Sequence, residues 1–363
     1  LLRWEWFRIY FESGVAKWMG GDPSWKNFTA MDQYYQNGPL PTWIGWYAQH
    51  LPHSFQAFST GLTLAVELFI VWMMFLPRRI RIICFWIVTP FQIGIIITAN
   101  YAFLNYIVLA LGFLLLDDRS VEWIVPGKLR GMVDKSVEAS PPEPAGWRAQ
   151  WRQELTPLRM VIAGICFTFI LYVTSAKLLQ ELAPQTFHMP EYPAAWIEQF
   201  RVANDYHLFG TMTPEREEIE FQGTTDGKTW IPYKFRYKPQ DLDKAPGIYA
   251  PYQPRFDWNL WFASLGAWPQ YRFVVFAEER LLQGDPDVLA LFAGNPFPKP
   301  PLRVRTVIYQ YWFTSRQTKR ETGLWWRRQL LGAYAPALER ESDGSIQLLP
   351  LTGMPAQGGD ATP

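Results

Sequence analysis

Apolar and polar positions fall into two regimes along this chain. Between 55 and 116 charged side chains nearly vanish, apart from an island at 77–81, whereas 185–345 mixes apolar and polar positions as a water-exposed protein does. A helix that crosses the hydrocarbon core needs about 20 apolar residues. The runs 55–76, 82–99, 103–116 and 161–176 reach or approach that length and predict about four transmembrane helices, the third and fourth short or tilted. Residues 1–19 mix apolar side chains with Arg3, Glu5, Arg8, Glu12 and Lys17, which predicts a helix lying in the interface, or the end of a longer span. The Gly-, Pro- and aromatic-rich segment 20–54 predicts a structured outer loop at the membrane surface.

The soluble half, 185–345, opens with strand signals. Ile219 and Phe221 alternate with Glu218 and Glu220, Asp226-Gly227 marks a tight turn, and Tyr233, Phe235 and Tyr237 alternate with Lys234, Arg236 and Lys238. This predicts a hairpin with one aromatic face buried and one charged face in water, glutamates opposite cations. Helical patterns follow at 255–267 and 271–282. Asp285-Pro286 is a helix start, 302–313 alternates as a strand, and 322–331 reads as a last helix. The predicted fold class is a polytopic α-helical membrane domain followed by a soluble α+β domain with a small antiparallel sheet or β-sandwich. The link 117–157 is expected to be a partly flexible loop with a short helix near 145–154, and 346–363 a flexible tail.

Charge sets the expected orientation. Arg78, Arg79 and Arg81 lie between the first two spans, and 117–157 is also rich in Lys and Arg, while the turn 100–105 has neither. Short cytoplasmic loops carry the positive excess. The basic links are therefore expected in the cytoplasm, and 20–54, the turn 100–105 and everything past 180 on the periplasmic or lumenal side. Overall, 34 Lys and Arg against 33 Asp and Glu give a net charge of +1, which speaks against a nucleic-acid partner. Two cysteines, Cys84 and Cys166, exclude a disulfide scaffold. The histidines show no ligand spacing beyond His50 and His53, which a Leu-Pro pair separates, so no metal site is expected. An aromatic fraction of 17% suits membrane interfaces and binding surfaces.

Catalytic signatures are sparse. The sequence holds no phosphate-binding loop, dinucleotide fingerprint or GxSxG elbow, so it does not look like a lipase or esterase itself and no cofactor is expected. The sharpest single residue is Glu67, in the middle of the first span, where an ionised carboxyl costs a few kcal/mol. It is either an intramembrane acid at a substrate or proton site or a carboxyl that holds helices together, with Gln92 or Asn105 as partner. Asn27-Phe28-Thr29 matches a glycosylation sequon.

Longer stretches carry a resemblance: GDPSWKNFTAMDQYY at 21–35, PLPTWIGWYAQHLP at 39–52, VEL at 66–68, NYAFLN at 100–105 and Asp117-Asp118. It continues with RVANDYHLFGTMTPEREEIE at 201–220, YKFRYKPQDL at 233–242, PYQPRFDWNLWFASL at 251–265, LFAGNPFPKPP at 291–301 and GLWWRRQLLGAY at 323–334. Together they resemble the lipase maturation factor family across all but the tail. The resemblance implies a polytopic protein of the endoplasmic reticulum membrane with its C-terminal domain in the lumen, chaperone-like and not an enzyme, which helps secreted lipases reach their active form. It also implies a distant likeness to membrane-embedded vitamin K-dependent carboxylases, and further spans ahead of residue 1, so that this chain reads as truncated at its N-terminus. The low cysteine count suggests a bacterial homologue, which would sit in the inner membrane with its C-terminal domain in the periplasm.

The family pattern falls on Asn204, Tyr206, Gly210, Arg216, Arg255, Asp257, Trp258 and Trp261. Arg255 and Asp257 beside two tryptophans are either an anchor for a client or a buried pair within the domain. The leading expectation is a membrane-anchored folding factor with membrane lipid and secreted lipases as partners. A membrane enzyme using Glu67, and a ligand-binding outer domain with its site near 225–228, are the alternatives.

Overall fold

The computed structural model describes residues 1–101, 103–117, 120, 147–187 and 200–350. Most of the expected loop at 117–157 and the tail from 351 lie outside the described residues. The chain forms two compact units, each assembled from separated segments: a helical unit of 1–26, 61–92 and 107–211, and an α+β unit of 27–60, 93–106 and 212 onward. The boundaries read from the sequence differ from these, because 27–60 and 93–106 group with the α+β domain.

Helices α1 (Leu2–Met19), α2 (Pro23–Lys26), α3 (Met31–Asn37) and α4 (Trp43–Gln49) open the chain. They are followed by α5 (His53–Leu68), α6 (Arg78–Thr98), α7 (Leu104–Gly112) and α8 (Trp147–Leu182). A 3-10 stretch, Ile70–Phe75, prolongs α5, and Phe113–Leu115 prolongs α7. Among the described residues, three helices are long and apolar enough to cross a membrane: His53–Phe75, Arg78–Thr98 and Thr156–Leu182. The expected third span is shorter, since Leu104–Leu115 rises only about 18 Å. Its end is tied to the start of α6. Arg81 Nε donates to the Leu115 carbonyl at 2.9 Å, and Arg78 pairs with Asp117. The short helix expected near 145–154 is continuous with α8.

The first helix differs most from expectation. Residues from Trp6 to Val15, and Lys17, are buried around the whole circumference of α1, so it is an interior helix of the helical unit and not an interfacial one. Phe7 meets Trp72 at 4.7 Å and Phe75 at 5.1 Å between ring centroids, and Trp4 Nε1 donates to Thr174 at 3.0 Å. No single apolar face was needed, because the charged residues of α1 find partners inside.

In the α+β unit come β1 (Arg216–Thr224), β2 (Ile231–Pro232), α9 (Arg255–Ser264), α10 (Phe273–Gln283), α11 (Pro286–Leu289), β3 (Arg303–Phe313), α12 (Arg316–Thr322), β4 (Trp326–Ala333), β5 (Leu338–Arg340) and β6 (Ile346–Leu348). The antiparallel sheet has the order β2-β1-β3-β5-β6, with β4 also on β3. The whole of β1 pairs with β3, from Arg216 opposite Tyr311 to Thr224 opposite Arg303. One face is apolar: Ile219, Phe221, Val304 and Ile308 pack with Leu260 of α9 and with Val274, Leu281 and Leu282 of α10. Burying a side chain such as Phe221 contributes about 2–3 kcal/mol.

The predicted hairpin pairs only at Gln222–Pro232 and Gly223–Ile231. Pro232 has no N–H to continue the ladder, yet Tyr233 and Phe235 still fill the core. The charged face is only partly in water: Lys234 and Arg236 are exposed, but Glu218, Glu220 and Lys238 are buried. The helix predicted at 322–331 is a strand instead. Helix α12 stops at Gly323, which takes the left-handed φ of 78°, and β4 then zips onto β3 with Trp326 opposite Phe313. The domain also runs past 345, because Ile346–Leu348 pairs with β5 where a tail was expected.

Candidate functional site

In the helical unit the charges of α1 form a ladder. Arg8, fully buried, holds Glu12 at 2.6 Å and Glu5 at 3.3 Å, the i+4 and i−3 spacings that share one helix face. The segment 204–210 lies along that face. Arg8 donates to the Asn204 carbonyl, the Tyr206 N–H donates to Glu12 at 3.0 Å, and the Tyr206 hydroxyl donates to Glu5. One turn further on, Lys17 donates to the Leu208 carbonyl at 2.8 Å, and Trp25 Nε1 donates to the Phe209 carbonyl at 3.0 Å.

Lys17 also accounts for Glu67. Its ammonium lies 2.7 and 3.0 Å from the two carboxylate oxygens and 5.2 Å from the Trp25 ring centroid. The close approach needs Gly14: a Cβ there would lie 2.9 Å from Glu67 Cβ and 3.0 Å from a Leu68 methyl. Gln92, one partner considered for Glu67, accepts from the Tyr10 hydroxyl at 2.6 Å. An ammonium so enclosed by a carboxylate, carbonyls and an indole is a tether between α1, α5 and the 204–210 segment.

In the α+β unit, Arg216 is the corresponding hub. It donates to the carbonyls of Gln36 (2.8 Å), Gly38 and Pro39 (3.1 Å), pairs with Glu218, and lies 5.5 Å from the Trp326 ring centroid. Lys238 closes the other side of Glu218 at 2.7 Å and donates to the Ile219 carbonyl at 2.7 Å. Glu220 takes Arg328 and Gln240, both at 2.9 Å. Asp257 is buried and accepts from the Lys238 N–H at 3.1 Å; burial raises its carboxyl and that bond partly offsets the rise. Trp261 donates to the Asn37 carbonyl at 3.0 Å, and Trp258 meets Tyr101 edge-on at 6.3 Å. Arg255 is exposed, so it does not share the interior of Asp257.

The predicted residues therefore fall into two separate groups. Glu67, Asn204, Tyr206 and Gly210 belong to the helical unit, and Arg216, Arg255, Asp257, Trp258 and Trp261 to the α+β unit. His50 and His53 do not converge: His50 lies 2.7 and 2.9 Å from the carbonyl oxygens of Trp46 and Thr314, and His53 is 2.9 Å from Asp32. The turn at 225–228 is built on Asp226, which accepts from the N–H groups of Lys228 and Thr229. Among the described residues no group of three or more potential metal ligands comes together.

The partners of three residues were not foreseen from the sequence. Lys17 was legible as a charge without a partner, i+5 from Glu12. Asn100 uses its whole amide, donating to the carbonyls of Leu40, Pro41 and Gly247 and accepting from the N–H of Tyr249 and Ala250. Glu278, fully buried on α10, faces Thr306 of β3; burial pushes its carboxyl up to about 8, partly offset by Thr306. An acid at the i+4 position of an apolar helix face was its only signal.

These features define an integral membrane protein: apolar spans, charges paired in its interior, and an α+β domain built partly from the segments that join the spans. The family model for the lipase maturation factor transmembrane domain matches residues 1–123, and that for the lipase maturation factor C-terminal domain matches 202–336. Human lipase maturation factor 1 is 30% identical over 355 residues, covering 93% of this chain and 60% of that protein. Lipase maturation factor 2 of Gallus gallus is 29% identical over 431 residues, covering 93% and 59%. The mouse lipase maturation factor 1 is 30% identical over 348 residues, again with 93% and 60% coverage. No solved structure matches the chain. The chain belongs to the lipase maturation factor family, and it spans about 60% of the length of the curated relatives it matches.

Proposed function

We propose that the protein is a membrane-anchored maturation factor that helps secreted lipases reach their active form. The observation that carries this reading is the match to both of the family's domains, in order, within one chain. The relatives are named for lipase maturation, and the helical and α+β parts they share with this chain are both present. The interior charges suit a scaffold: Glu67 is held by Lys17, and Arg216 ties the segment 36–39 to β1. On this reading Arg255, which is exposed, and half-buried Trp258 are the motif residues that remain available to a client.

The orientation follows from charge. The island with Arg78, Arg79 and Arg81, joined to Leu115 and Asp117, faces the cytoplasm, and the α+β domain faces the periplasm or the lumen of the endoplasmic reticulum. A bacterial inner-membrane protein is the form favoured by two cysteines.

Co-expression with several secreted lipases of the same genome tests the reading. Lipase specific activity and secreted amount are compared with and without the protein. Activity that depends on the protein supports the proposal. Lipases that mature equally well without it contradict the proposal.

A further inference from the structure

The two ends of the central strand differ in the aromatic side chains they expose. Beyond the Arg303 end lie polar turns: Asp226 and Lys228 in one, and Glu341 to Ser345 in the other, all exposed apart from the turn glycine at 227. At the Phe313 end lies α4. Trp46 and Phe313 approach to 6.4 Å between centroids, and His50 sits 2.9 Å from the Thr314 carbonyl. This end exposes large apolar side chains: Trp43 at 43%, Tyr47 at 46% and, on the adjoining loop, Ile248 at 48% and Tyr252 at 59%. The loop and α4 are joined by the Trp43 N–H donating to the Pro246 carbonyl at 3.0 Å. Ten strand steps at about 3.3 Å separate the two ends by about 33 Å.

Chain connectivity says what lies at the aromatic end. The helix α4 ends at Gln49, and the candidate span starts at His53. The second span ends at Thr98, and α4 rests on that end: a Cβ on Gly45 would lie 2.6 Å from the Thr98 carbonyl oxygen, and the Thr42 hydroxyl donates to the Ile97 carbonyl at 2.9 Å. The loop 247–250 is held by Asn100 and by the Tyr106 hydroxyl, which donates to the Ala250 carbonyl at 3.2 Å. Every element carrying the exposed aromatics is thus bonded to residues within a few positions of a span end. Span ends lie at the bilayer–water boundary, where Trp and Tyr are the favoured side chains.

We propose that this edge of the α+β unit is seated in the headgroup layer of the bilayer, with Trp43, Tyr47, Ile248 and Tyr252 inserted at the level of the lipid glycerol. Lys319, stacked 3.8 Å from the Trp325 ring centroid beside α4, adds a cation to the same edge for lipid phosphate. The domain is then not suspended freely above the membrane. Its sheet stands on the bilayer with the polar turns outermost.

The test uses the full chain in vesicles of phosphatidylcholine and phosphatidylglycerol. Cys84→Ala and Cys166→Ala remove the native thiols, and an environment-sensitive fluorophore is placed by Tyr47→Cys, by Tyr252→Cys or by Asp343→Cys. Lipid carrying a nitroxide at the top of the acyl chain is the quencher. Loss of emission at 47 and 252, with none at 343, is the expected result. Emission at 47 and 252 that is as insensitive to the quencher as at 343 overturns the proposal, whether water, a second copy or another protein covers the edge. Rim positions on two separate elements keep the test decisive if one labelled variant misfolds.

Discussion

The helical unit and the α+β unit both bury charged side chains, but they neutralise them differently. In the helical unit the charges stand on one helix, Glu5, Arg8, Glu12 and Lys17, and an irregular segment, 204–210, supplies backbone groups to them. In the α+β unit the charges come from alternate positions of β1, Arg216, Glu218 and Glu220, and are matched by Lys238, Gln240 and Arg328 from neighbouring segments. In the first arrangement the Glu67 carboxylate is held by one cation, Lys17. The second is a mesh in which most groups have two partners. Removing Lys17 therefore strands Glu67, while removing Arg216 leaves Glu218 paired with Lys238.

That difference orders the expected effects. Lys17→Met leaves Glu67 buried without its cation and is expected to cost about 3–5 kcal/mol, read as loss of thermal stability in detergent; Lys17→Met with Glu67→Leu recovers most of it. Arg216→Met is expected to cost less, about 3 kcal/mol, because Lys238 still neutralises Glu218. Equal losses for the two substitutions would erase the distinction between pair and mesh.

Glu278 belongs to neither arrangement and gives a pH signature. Its carboxyl is held at about 8 against an ordinary 4.5, so the folded state keeps a proton that the unfolded chain releases. Its contribution is fully present below about 4.5, falls as pH rises towards about 8, and is flat beyond. Glu278→Gln is expected to remove that slope and to stabilise the α+β unit at pH 8 by on the order of 2 kcal/mol, measured by unfolding across the pH range. The smallest effect is expected for Gly14→Ala, about 1–2 kcal/mol, as the added methyl pushes α1 away from Glu67 and Leu68.

What could be read from the sequence followed local chemistry. Hydropathy marked α5, α6 and α8, and the Asp285-Pro286 start is a true cap, with Asp285 accepting from the N–H groups of Asp287 and Val288. The alternation at 217–221 marked β1, and that at 302–313 marked β3. Non-local choices were not legible. The residues of β4 form a strand because β3 offers them a partner. Charges on β1 and α1 looked solvated because their partners lie far along the chain, as Tyr206 does from Glu12 and Arg328 from Glu220. Glu67 stood out as a costly carboxyl, but nothing nearby in sequence identified Lys17 as its partner.

The most direct measurement is the ability of Lys17→Met with Glu67→Leu, in the full chain, to support maturation of a secreted lipase. If the pair is a tether, the double variant folds and lipase activity is retained. A double variant that folds normally yet yields no active lipase would contradict the scaffold role and return Glu67 to the chemistry of the protein.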